Sequence, residues 1–140
     1  MTTIAYHHGD KQIAVDSRIT SNGNVDRDDF NKIIKRGKRK YFMCGATCDY
    51  ERFVDEAEVG KGTYELECTA IMVEGDSVYL ITQEGSRYLF SKQESNHCNG
   101  SGYRFALAAM DFGQTAKQAV QYAAKRDIYT GSKIRVFKVS

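Results

Sequence analysis

The chain has 140 residues, a formal net charge of +2, 41% apolar and 27% charged residues, the balance of one folded domain spanning 1–140, which excludes a disordered or fibrous class. The small net charge gives no ground for a nucleic-acid partner, and the apolar runs are too short for a membrane span. The amino terminus lacks the basic-then-apolar order of a signal peptide, so the cytoplasm is the default location.

The first third reads as β-structure. Thr3 to His7 and Gln12 to Val15 flank the turn signal His8-Gly9-Asp10-Lys11 and predict a hairpin. His7 and His8 are neighbours on a strand, point to opposite faces and would not share a metal ion. Asn22-Gly23-Asn24 marks a loop, and Phe30 to Ile34 with Lys40 to Cys44 predict a second hairpin around Arg36-Gly37-Lys38. The basic residues gathered there (Lys32, Lys35, Arg36, Lys38, Arg39 and Lys40) have no aromatic platform beside them and read as solvated hairpin charges rather than a phosphate site.

Asp49 to Glu58 has Phe53, Val54 and Ala57 at helical spacing, and Gly60-Lys61-Gly62 ends that helix. A long strand is predicted over Thr63 to Val73, then a Glu74-Gly75-Asp76 turn, a return strand Ser77 to Thr82 and a short strand Tyr88 to Phe90. After Gly100-Ser101-Gly102 the period changes. Phe105, Ala108, Ala109 and Phe112 predict one helical face; Gly113 breaks it; Thr115 caps a second helix with the small-residue stripe Ala116, Ala119, Val120, Ala123 and Ala124. Lys133 to Val139 closes the chain as a strand. Strands, a helix, strands, two helices and a strand fit an α+β layered domain of antiparallel sheets covered by helices. Cys44, Cys48, Cys68 and Cys98 show no zinc spacing and read as reduced, mostly buried thiols.

Thr2 follows Met1, so removing one residue leaves a threonine that carries both a hydroxyl and a free α-amine. A threonine hydroxyl is a poor nucleophile alone, and the amine of the same residue can act as its base. Such an amine titrates near about 8, and a neighbouring cation and carboxylate would bring it toward neutrality. Lys32 and Asp16 are candidates, although each alone has a blander reading as a solvated charge and a turn former.

The order of several segments together resembles the proteasome β-subunits and HslV, the threonine-protease branch of the amino-terminal-nucleophile hydrolases. Thr2-Thr3-Ile4 resembles the mature family start, and Ile13-Ala14-Val15-Asp16-Ser17-Arg18-Ile19-Thr20 resembles V-A-x-D-S-R-x-T. Asn31-Lys32-Ile33 is similar to the segment with the catalytic lysine, and Met43-Cys44-Gly45-Ala46-Thr47-Cys48-Asp49 to M-A-G-G-x-x-D. Gly100-Ser101-Gly102 and Arg126-Asp127-Ile128-Tyr129-Thr130-Gly131 resemble G-S-G and R-D-x-x-[ST]-G.

The resemblance implies an αββα sandwich of two antiparallel sheets with a reduced helical layer. It implies Thr2 as nucleophile, its amine as general base, Lys32 lowering the amine's pKa, and Asp16 pairing with Lys32. Ser101, Asp127 and Thr130 would position the amine, and Gly45 would offer its N–H to the oxyanion. Thr20 and Thr47 would hold the substrate main chain, and Met43 would floor a pocket for an apolar residue before the cut bond. No cofactor or metal is required. The implied assembly is a homo-oligomeric ring, a hexamer either single or stacked, that takes polypeptide substrates with an AAA+ unfoldase as candidate partner.

Two departures stand out: one short helix between Asp49 and Gly62 where the family has two, and a shorter first hairpin turn. The alternatives are a non-catalytic scaffold or inhibitory protein of the same fold, and an amidohydrolase acting on a small molecule.

Overall fold

The structure, a computed structural model, describes residues 2–140. In chain order the strands and helices are β1 (Thr3–His7), β2 (Gln12–Val15), β3 (Ile19–Ser21), β4 (Asn24–Arg27), β5 (Ile33–Arg36), β6 (Arg39–Gly45), α1 (Tyr50–Val59), β7 (Cys68–Glu74), β8 (Ser77–Glu84), β9 (Arg87–Lys92), β10 (His97–Gly100), α2 (Tyr103–Asp111), α3 (Ala116–Arg126) and β11 (Arg135–Lys138). One antiparallel sheet has the order β10-β1-β2-β11, a second the order β5-β6-β7-β8-β9, and β3-β4 form a separate short hairpin.

Alternation along the strands builds the layers. On β6, Phe42 and Cys44 face the first sheet and join Ile4, Tyr6, Ile13 and Val15 between the sheets, while Tyr41 and Met43 face outward under α1 with Phe53, Val54 and Leu66. The far side of the first sheet, with Ala5 and Ala14, is covered by Ala106, Ala109 and Met110 of α2 and by Ala116, Ala119, Val120 and Ala123 of α3. The result is the expected αββα sandwich, with one helix on one side and two on the other.

Four of the five residues in the small-residue stripe of α3, Ala116, Ala119, Val120 and Ala123, pack as the spacing predicts, and Ala124 is half-buried. The amino end of α3 is a capping box: the Thr115 hydroxyl accepts from the Gln118 N–H at 3.2 Å, and the Gln118 side chain accepts from the Thr115 N–H at 2.9 Å. The face of α2 differs from the expected one: Ala106, Ala109 and Met110 are buried, while Phe105 is 38% and Phe112 87% exposed. Two alanines allow the helix axis close to the sheet where phenylalanines would hold it off.

The expected long strand starts late, at Cys68. Residues 63–67 leave the sheet because their polar groups find side chains instead: Gln83 bonds the Leu66 N–H at 2.8 Å and the Tyr64 carbonyl at 3.0 Å, and Arg52 reaches the Thr63 and Tyr64 hydroxyls. The Asn22-Gly23 loop is the tip of the unanticipated β3-β4 hairpin, and β10 is a further strand whose sequence, His-Cys-Asn-Gly, has no strand propensity. It exists because β1 offers an edge.

The basic stretch divides. Arg36 pairs with Glu51 and Asp55 of α1 at 2.5 and 3.1 Å, and Arg39 with Glu58 and Glu74 at 2.9 and 3.1 Å, so these two guanidiniums fasten α1 to its sheet rather than simply meeting solvent. Lys32 is wholly inside.

Candidate active site

The site lies where the two sheets meet at the start of β1. Pairing of Thr3 with Gly100 and of Ile4 with Val15 places Thr2 beside the residues that follow β10 and β2, namely Ser101 and Asp16. The second sheet supplies Lys32, whose carbonyl accepts the Met43 N–H at 2.9 Å just before β5 begins. Residues 2, 16, 32 and 101 are thereby brought together by strand register, not by proximity in sequence.

Lys32 Nζ donates to Thr2 Oγ1 at 2.8 Å and to Asp16 Oδ1 at 2.8 Å. All three side chains are 0% exposed. Burial lowers the Lys32 pKa from its usual value, and the charge of Asp16 opposes that shift. Asp16 is held by backbone as well: Oδ1 accepts the Thr3 N–H at 3.2 Å, and Oδ2 accepts those of Gly131 at 3.0 Å and Arg18 at 3.4 Å.

A second polar cluster sits alongside. Asp127 Oδ2 accepts from Ser101 Oγ at 2.5 Å and from Thr130 Oγ1 at 2.7 Å, and Thr130 Oγ1 lies 2.6 Å from Thr3 Oγ1. Ser101 Oγ also reaches the Thr2 carbonyl at 3.4 Å. Tyr129 donates its N–H to Asp127 Oδ1 at 3.2 Å, which fixes the turn that presents Thr130.

The two glycines around Ser101 have separate steric causes. Gly100 has φ +98°, and a Cβ there would sit 2.0 Å from the Thr2 carbonyl oxygen; at Gly102 it would sit 2.1 Å from Thr3 Oγ1. Gly-Ser-Gly, a weak motif read alone, is here demanded on both sides by β1.

Gly45 ends β6 at φ +118°, where a Cβ would meet the Glu67 carbonyl oxygen at 2.1 Å. Its neighbour Ala46 donates to that same carbonyl at 2.8 Å, so by alternation the Gly45 N–H points the other way, to the side on which Met43 meets Lys32. Beside Gly45 lies a groove of about 410 Å³ lined by Ile19, Thr20, Ala46, Thr47, Cys48 and Glu67. Thr20 and Thr47 thus share one groove. Met43 does not line it, being 0% exposed in the core under α1. Cys44, Cys68 and Cys98 are buried, Cys48 is exposed, and all four are free.

Two site residues carried no signal of their own in the sequence. Thr3 was legible only as a strand residue and as part of the Thr2-Thr3-Ile4 start, with no role of its own. Tyr50 fell inside the helix predicted over Asp49 to Glu58 without remark, yet it is 4% exposed, and among the described residues its hydroxyl is a buried side-chain group without a hydrogen-bond partner. Burial raises the phenol pKa, and the side chain of Thr2 is the polar group that acts against the shift. The removal of Met1 lies outside the described residues.

No protein-family model and no curated protein sequence matches the chain. Solved structures match its fold over nearly its whole length. BPH of Thiobacillus denitrificans in complex with epoxomicin shares 16% identity at a TM-score of 0.77, covering 99% of this chain and 100% of that one. A second structure of the same BPH gives 14% and 0.74, with 100% and 99% covered. Eukaryotic HslV from Trypanosoma brucei gives 18% and 0.78, with 97% and 98% covered. The chain has the HslV-type fold, in agreement with the resemblance read from its motifs.

Proposed function

We propose that the chain, once Met1 is removed, is a threonine-type endopeptidase whose nucleophile is Thr2. The observation that carries this reading is the position of Lys32 Nζ, 2.8 Å from both Thr2 Oγ1 and Asp16 Oδ1 in a fully buried site. A scaffold has no use for a desolvated lysine aimed at a threonine hydroxyl. Its cost is justified where the hydroxyl must become an oxyanion.

In the proposed reaction the Thr2 α-amine takes the proton of Oγ1 as Oγ1 bonds to the scissile carbonyl carbon. The carbonyl π pair moves onto oxygen, toward the Gly45 N–H. Lys32 stabilises charge on Oγ1 and, as a cation, favours the neutral amine. The C–N bond then breaks, the amine returns its proton to the leaving nitrogen, and an acyl-ester remains on Thr2. Water repeats the steps in the same order and releases the acid. Asp127, with Ser101 and Thr130, orients the first residues of β1 and so the amine. Thr20 and Thr47 offer the groove in which an extended polypeptide adds as a strand.

The outer helices support a ring of identical chains, the arrangement proposed for the assembly. Phe112, 87% exposed, and Tyr122 border an open groove of about 770 Å³ between α2 and α3 whose lining is mainly apolar, and such a face is suited to cover by a second copy. An unfoldase partner and a cytoplasmic site complete the proposal; the four free cysteines suit a reducing compartment.

Intact-mass spectrometry before and after incubation with epoxomicin tests the proposal. A peptide epoxyketone closes a ring only with a residue that has both a hydroxyl and a free α-amine. Loss of Met1 and one adduct per chain, absent in Thr2→Ala, is the expected result. A free Thr2 that takes no adduct transfers the chain to the non-catalytic reading.

A further inference from the structure

Buried hydroxyls in folded proteins are bonded, and an unpaired one calls for a reason. Tyr50 is the first residue of α1. Its ring packs with Met43, Phe53, Leu66 and Cys68 in the apolar core, while its hydroxyl reaches the boundary of that core at Thr2. The Thr2 side chain is near enough to act on the phenol, yet among the described residues the hydroxyl has no hydrogen-bond partner at rest.

We infer that Tyr50 is a further catalytic residue, whose O–H donates to Thr2 Oγ1 alongside Lys32 when that oxygen carries charge; this rests on the threonine-peptidase reading. Lone-pair accounting explains why the donor waits. The resting hydroxyl has two pairs: one accepts from Lys32 and the other must remain for the carbonyl carbon. Transfer of the hydroxyl proton to the α-amine frees a third, and the phenol oxygen moves into hydrogen-bond range of the charged Oγ1 to meet it. In the acyl-ester's breakdown the same donor serves Oγ1 as it leaves carbon and before it regains a proton. Tyr50 keeps its own proton throughout.

Neutrality is secured by the surroundings. Burial comes first among the causes that push the phenol above its usual range, and the nearby Cys44, Cys68 and Asp16 act in the same direction. The phenol therefore stays an O–H donor at every pH where the amine works as a base.

The test uses the full chain processed to Thr2, as wild type, Tyr50→Phe and Phe53→Leu, with epoxomicin labelling rates, kcat and KM on a fluorogenic peptide, and Tm. Loss of one donor to a developing oxyanion costs about a hundredfold or more elsewhere; with Lys32 still in place, Tyr50→Phe is expected to slow labelling and kcat about ten- to hundredfold. KM and the shape of the pH profile are expected to hold, and Tm to stay level or rise because an unbonded buried oxygen is gone. Phe53→Leu, which disturbs the same core without touching the hydroxyl, is expected to lower Tm and keep the rate. Equal labelling of wild type and Tyr50→Phe overturns the inference and leaves Thr2 as the nucleophile. An equal slowing in Phe53→Leu, or a Tyr50→Phe chain that does not fold, makes the role one of packing and overturns it too. A wild type that takes no label removes the peptidase reading and the inference with it.

Discussion

Lys32 and Asp16 form one buried ion pair, yet removing either member is expected to have very different consequences for folding. In Lys32→Met an apolar side chain of similar length replaces a cation that burial already disfavours. The carboxylate left behind still accepts N–H bonds from Thr3, Gly131 and Arg18 at 3.2, 3.0 and 3.4 Å. Breaking a buried pair costs about 3–5 kcal/mol when the surviving charge is uncompensated; with those three donors in place, about 1–2 kcal/mol is expected. Asp16→Ala does the reverse. It strips two well-bonded backbone donors and one weaker one, about 3–9 kcal/mol together at about 1–3 kcal/mol each, and leaves the ammonium without its carboxylate as well. That approaches the whole stability of a domain this size, about 5–15 kcal/mol. Urea denaturation of both variants, each also tested for epoxomicin labelling, gives the comparison. Both are expected to be unlabelled, with Lys32→Met folded and Asp16→Ala largely unfolded. Equal destabilisation by the two would refute the reasoning and make Lys32 a structural ion-pair residue.

Gly100→Ala is expected to abolish labelling and to cost about 2–5 kcal/mol, the sum of a positive-φ penalty and an overpacked contact with the Thr2 carbonyl, which β1–β10 pairing holds in place; a folded, fully active variant in the same urea and labelling assays would contradict the assigned register. Burial holds the His97 imidazole below its usual range. The unfolded chain therefore takes up this proton first, and stability falls as pH drops from about 6.5 to the lowered folded value, a loss that thermal melts across pH should not find in His97→Gln. Lys32 is also lowered, and the folded chain releases its proton first on the alkaline side. Stability is then expected to gain from this group as pH rises from the lowered value to about 10.5, and Lys32→Met should lack the gain in the same melts.

The parts of the fold that were legible are those where one physical cause acts alone. The β1-β2 and β5-β6 hairpins follow from turn residues between apolar runs, and the face of α3 follows from five small residues at helical spacing. The errors fall where a tertiary partner changed the local preference. Phe105 and Phe112 have the right spacing for a buried face, but the face of α2 that packs on the sheet is Ala106, Ala109 and Met110. Tyr64 and Leu66 alternate as a strand would, but the Gln83 side chain takes the hydrogen bonds that a neighbouring strand would have made. β10 is polar and short and becomes a strand only because β1 has a free edge.

The candidate site divides along the same line. Asp16, Ser101, Asp127 and Thr130 stand in motifs because each must satisfy backbone or hydroxyl groups at fixed offsets: Asp16 reaches the Arg18 N–H two residues on, Asp127 the Thr130 hydroxyl three residues on, and the glycines around Ser101 clear β1. Constraints of that kind are local in sequence, so they leave a readable pattern. Tyr50 answers to no local constraint. Its ring obeys the apolar period of α1 like any core residue, and only the packing of α1 across the second sheet brings its one oxygen to Thr2. A residue that joins a site through the far end of a core side chain is written in the sequence as core, and an unpaired buried atom is the sign that it has a second task.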